Sequence, residues 1–126
     1  MEELIERVRG AWRVIRDYQA GHTVEEDALR SAFVTLRDSL ERWYVELVAK
    51  AVGKVNQNTL KDLLTILEPI IRNIYNVRAA LNLCLVALDL FHSDERLRRS
   101  FVVLTLANAP PIEGLVTSME YLEKSK

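Results

Sequence analysis

A chain of 126 residues, 49% hydrophobic and 28% charged, has the make-up of one ordinary globular domain, residues 1–126, that can bury a core without a metal or disulfide. Seventeen Lys plus Arg against 18 Asp plus Glu leave a formal net charge of -1, without the basic excess that wholesale nucleic-acid binding normally shows. One cysteine excludes an internal disulfide and a thiolate-rich zinc site, and four glycines with three prolines are too few for the many tight turns of an all-β fold.

Residues 2–20 place Leu4, Val8, Ala11, Trp12, Ile15 and Tyr18 three or four apart, a helical spacing. Ala20-Gly21-His22 interrupts it, with Gly21 suited to the left-handed conformation past a helix end. Thr23 and Glu26 have the spacing of a capping box, so a second helix is expected to open there. Leu29, Phe33, Leu36, Leu40, Trp43 and Leu47 carry it towards Gly53, a rod of about 45 Å at 1.5 Å per residue.

A polar joint, Lys54 to Asn58, precedes the strongest pattern in the chain. Leu60, Leu63, Leu67, Ile70, Ile74, Val77, Leu81, Cys84 and Leu88 alternate steps of three and four, as in a coiled-coil seam. Pro69 falls inside this run and predicts either a kink near Thr65 to Pro69 or a split into two helices. The segment Leu81 to Phe91 is apolar around most of its circumference and is expected to be covered on several sides. It is too short to span a bilayer and contains Asn82 and Asp89.

After the break at His92, Ser93 is a suitable cap for a fourth helix carrying Leu97, Phe101 and Leu104 or Val103. Asn108-Ala109-Pro110-Pro111 stops it, and Ile112, Leu115, Val116, Met119 and Leu122 mark a last short helix with Pro111 in its first turn. The fold class is therefore all-α: a helical bundle built on two long antiparallel helices, with shorter N- and C-terminal helices. The short helices cannot cover the whole seam of two such rods, so part of it is expected to meet another chain, its own copy or a different subunit.

Little in the sequence points to catalysis. His22 and His92 stand at predicted turns, outside any metal-ligand spacing, and no cofactor or metal site is expected. Cys84 sits on the seam with no base beside it, as a small core residue would. Glu41 and Glu46, five apart, do not share a helix face, and the glycines are isolated rather than grouped in a phosphate loop. The acidic start Met1-Glu2-Glu3 lacks the basic and apolar regions of a secretory signal, so a cytoplasmic setting is expected, without a membrane.

Charge placement offers two candidate surfaces. Arg9, Arg13 and Arg16 share one face of the first helix, and Arg96, Arg98 and Arg99 cluster after the third. Each group is either a solvated, salt-bridged face or a weak contact to nucleic-acid phosphates, for which arginine is the better cation. On the third helix Arg72, Asn73 and Asn76 crowd one side, while Arg78, Asn82 and Asp89 line another. Polar groups on so apolar a helix are either plain surface or intersubunit hydrogen bonds that fix register.

Three stretches resemble the helical domain of archaeal GINS subunits, non-catalytic scaffolds of the replicative helicase. They are Trp43-Tyr44 within Leu36 to Leu47, Ile71-Arg72-Asn73-Ile74-Tyr75-Asn76-Val77-Arg78, and Ser93-Asp94-Glu95 leading to Phe101. Together they cover roughly residues 36–104. The chain departs from that family where Ala79-Ala80-Leu81 follows the second arginine in place of a nearby lysine, and it has no room for the small β-rich domain most members carry. The resemblance implies a DNA replication scaffold in which Arg72, Asn73, Asn76 and Arg78 are assembly or partner contacts. The reading as a whole is a non-enzymatic assembly subunit. Its alternatives are a small helical subunit of a ribonucleoprotein such as a CRISPR effector, or a self-assembling viral or structural protein.

Overall fold

The computed structural model describes residues 2–54 and 57–124 and contains five helices: α1 Glu2–Gln19, α2 Glu26–Lys54, α3 Gln57–Leu90, α4 Glu95–Ala107 and α5 Ile112–Lys124. Among the described residues there is no strand, so the chain is all-α. Val55 and Asn56 in the polar joint, and the side chains of Leu60, Leu63 and Leu122, lie outside what is described.

The apolar spacing of α1 and α2 becomes the core as expected. Val8, Ile15 and Tyr18 of α1 face Leu29, Phe33, Leu36, Leu40 and Trp43 of α2, all fully enclosed. The inner seam of α3 completes this layer with Ile74, Val77, Leu81, Cys84 and Leu88. From α4 and α5, Val102, Leu106, Ile112, Leu115, Val116 and Met119 close the core. α1 packs on α2, and α2 runs beside α3. α4 and α5 each pack on both α1 and α3, and among the described residues α2 and α4 do not pack on one another.

Gly21 has φ +97°, the left-handed value that ends α1 without a Cβ penalty. The start of α2 falls later than the Thr23 spacing suggests. Its first turn closes with the Leu29 amide donating to the Glu25 carbonyl at 3.0 Å, and Thr23 lies in the non-helical connection before it. α4 shows a similar displacement, by one residue. Its N-cap is Asp94 rather than Ser93, with the carboxylate accepting from the Leu97 amide at 3.1 Å. α3 continues unbroken through Pro69 for 34 residues, so the proline does not split it.

Two apolar segments are not covered in the way their composition suggests. On α3, Leu83 is 51% exposed, Val86 48% and Leu90 69%, because the neighbouring helices occupy only its inner side and two flanks. On α4 the inward residues are Val102 and Leu106, while Leu97 and Leu104 stand 53% and 63% exposed. At the start of α4, Arg99 ties the helix to the end of α1 through the Tyr18 and His22 carbonyls, which fits this rotation.

Candidate functional site

The outward side of α3 carries a second row with seam spacing. Arg72, Asn76, Ala79, Leu83, Val86 and Leu90 follow one another at four, three, four, three and four residues, and all six are exposed. The row is polar at its N-terminal end and apolar over its last three turns. Two of the residues singled out for partner contact, Arg72 and Asn76, lie on it. Arg72 also pairs with Glu68 one turn earlier on the same helix.

The other polar side of α3 borders α2. Arg30 donates to Asp89 at 2.7 Å, Arg37 to the Asn82 side-chain oxygen at 3.1 Å, and Arg78 to Glu41 at 3.1 Å. Tyr44 meets Tyr75 edge-on with ring centroids 5.4 Å apart. From rung to rung the ladder advances seven, four and three residues on α2 and retreats seven, four and three on α3. The antiparallel register is therefore constant along its length. The signal was in the sequence: Arg30, Arg37, Glu41 and Tyr44 mirror the spacing of Tyr75, Arg78, Asn82 and Asp89. Asn73, half-buried on α3, makes no side-chain hydrogen bond to these rungs.

The six arginines considered for phosphate contact separate into different roles. Arg99 stacks over the Tyr18 ring at 4.1 Å and donates to the carbonyls of Tyr18 and His22 and to Glu95. Arg98 donates to the His92 carbonyl at 3.0 Å and pairs with Glu95. These two therefore satisfy the carbonyls that the end of α1 and the α3–α4 turn leave open. Burial pushes the Tyr18 phenol above its ordinary range, with Arg98 beside it opposing part of that rise. Arg96 is exposed.

Arg9, Arg13 and Arg16 line a cleft of about 230 Å³ between α1 and α5, with Trp12 beside them. Glu113 and Glu120 stand on the opposite wall, and Arg9 donates to Glu120 at 2.9 Å. A carboxylate wall facing the guanidinium row cancels much of the positive potential that a phosphate backbone would need.

Chemistry-bearing residues are dispersed. Cys84 is fully enclosed on the inner seam, and burial pushes its thiol up to about 12. His92 contacts Glu26 at 3.0 Å across the α2–α3 end of the bundle, remote in sequence from His22. Among the described residues no three of His, Cys, Asp and Glu are grouped to hold a metal ion. Among them, too, no single helix is long and apolar enough to cross a membrane. No protein-family model, curated protein or solved structure matches the chain.

Proposed function

We propose that the chain is a non-enzymatic assembly subunit whose working surface is the outward side of α3 together with the exposed leucines of α4. The observation that carries this reading is the exposed apolar row of Leu83, Val86 and Leu90, with Leu97 and Leu104 on the adjacent helix. Large aliphatic side chains about half or more exposed at regular spacing on two adjoining helices cost solubility, and such surfaces mark sites of protein association. The GINS-like residues of 36–104 support a replication scaffold as the kind of assembly, with Arg72 and Asn76 as the polar end of the contact.

The test is affinity capture from the native host with the full chain and with the L83E/L90E variant, each checked for helical content by circular dichroism. The double variant is expected to lose its associated chains at least tenfold while staying folded. An unchanged set of associated chains overturns the reading. Helicase or primase subunits among those lost would sharpen it to a replication scaffold, and effector proteins with bound RNA would move it to the ribonucleoprotein alternative.

A further inference from the structure

We infer that the partner on the outer row of α3 is a second copy of this chain, packed antiparallel through the same row about a two-fold axis. This rests on the assembly reading above and names the occupant of the same surface. The row is self-complementary. Its spacing of four, three and four over Ala79, Leu83, Val86 and Leu90 is that of alternating coiled-coil seam positions. Reversing one copy against another sets Leu83 against the partner's Val86, Val86 against the partner's Leu83, Ala79 against the partner's Leu90, and Leu90 against the partner's Ala79. Four layers result, each outer one pairing a small residue with a large one, which is the interdigitation that close helix packing requires. A two-fold interface demands that one patch match itself, and this row does.

The charges bordering the row match in the same register. On the flank shared with α2, Arg37 is held beside Asn82, and Asp89 follows one heptad later. The antiparallel arrangement brings like flanks together, so Arg37 comes beside the partner's Asp89, twice per dimer. A parallel arrangement would instead set this flank against the partner's opposite flank, away from its Arg37. At the far end, Asn76 and Arg72 pass beyond the partner's Leu90 towards its α3–α4 turn, which is acidic and polar through Ser93, Asp94 and Glu95. The polar start of the row thus has polar groups to meet and the apolar end has apolar ones. α4 also packs on α3 and carries exposed apolar residues of its own in Leu97 and Leu104.

The experiment uses the purified full chain. Light scattering at a chain concentration on the order of 100 µM, suited to a small interface, is expected to give twice the 14.5 kDa chain mass. The L83E variant is expected to return to the chain mass with unchanged circular dichroism. Register and direction are then read by oxidative cross-linking of A79C and L90C, both at exposed positions. The buried Cys84 thiol stays out of this reaction. A mixture of the two variants is expected to cross-link, and neither variant alone. Cross-linking of A79C alone would mean parallel pairing, and it overturns the proposal, as does a dimer that yields no cross-link in the mixture. A wild-type chain that stays at the monomer mass also overturns it. If that monomer nonetheless loses captured host chains on L83E substitution, only self-pairing has failed. If its captured set is indifferent to L83E, the assembly reading has failed with it.

Discussion

α3 carries two rows with the same three-and-four spacing, on opposite sides of one helix. The inner row, Ile74, Val77, Leu81, Cys84 and Leu88, is fully enclosed by the other helices. The outer row, Ala79, Leu83, Val86 and Leu90, stands in solvent, although its last three residues are as apolar as those inside. Periodicity and hydropathy alone do not tell the two apart. What separates them is the packing around α3: α2, α4 and α5 pack against it, and among the described residues no helix covers the outer row. Two apolar rows on a helix with neighbours for only one of them are the basis of the proposed assembly role, since a second row in water is more often polar.

Truncating equivalent residues on the two rows gives the sharpest contrast. Leu81→Ala removes a fully enclosed side chain and should cost about 3 kcal/mol of unfolding free energy, read by urea denaturation of the dilute chain. Leu83→Ala, two residues away on the outer row, should change the dilute chain by less than about 0.5 kcal/mol. Equal losses at both positions would mean that the outer row is covered within one chain and would break the comparison. Cys84 reports on the same inner row through pH. Its thiol titrates at about 12 in the folded chain against 9.0 as the ordinary value, so as pH rises the unfolded chain gives up its proton first. That contribution to stability is fully present below pH 9 and is lost progressively towards pH 12. Cys84→Ala should flatten the alkaline fall relative to wild type when unfolding is followed across that range.

Much of the architecture is legible in the order of residues because it is set locally. Helix periodicity needs only neighbours a few positions apart, and Gly21, the Asn108 to Pro111 stop and the core faces of α1, α2 and α5 all follow from such signals. The features misread are those decided at long range. Leu97 and Leu104 have helical spacing as good as that of Val102 and Leu106, and what distinguishes them lies at long range, where Arg99 reaches residues some 80 positions earlier at the end of α1. The candidate site divides along the same line. Arg72 and Asn76 are on the exposed row, as their crowding on one side suggests. Arg78 is absorbed by Glu41 on α2, which could be foreseen only by matching the spacing of two segments against each other. The caps were displaced by one or two residues because several polar residues compete there and the geometry of the incoming chain chooses.

The rotation of α4 is a second way to sharpen the comparison, since it decides which of that helix's apolar residues are buried and which stand exposed. Arg99→Ala removes the stack on Tyr18 and the bonds to the Tyr18 and His22 carbonyls, and should cost about 1.5 kcal/mol. Arg99→Lys should recover little of it, since an ammonium cannot both stack flat on the ring and fork to two carbonyls. Thermal unfolding of the two variants checks this. Full recovery by lysine would mean that the charge alone, rather than the planar contact, holds α4 in place.

The smallest expected effect lies along the border between the two rows, on the ladder that joins α2 to α3. Arg30 and Asp89 are 2.7 Å apart, but their side chains are 38% and 71% exposed, so water and salt screen the attraction. Replacing either residue by alanine should lower stability only slightly, and a double-mutant cycle should give a coupling of about 0.5 kcal/mol that shrinks as salt is raised. The cycle discriminates most when it is run at two chain concentrations. Among the described residues of the dilute chain, Asp89 pairs with Arg30. In the antiparallel dimer it also faces the partner's Arg37, which reduces its dependence on Arg30. Coupling that weakens with concentration therefore places the ladder at the edge of a self-contact, whereas coupling that does not change leaves it a feature of the single chain's α2–α3 hairpin.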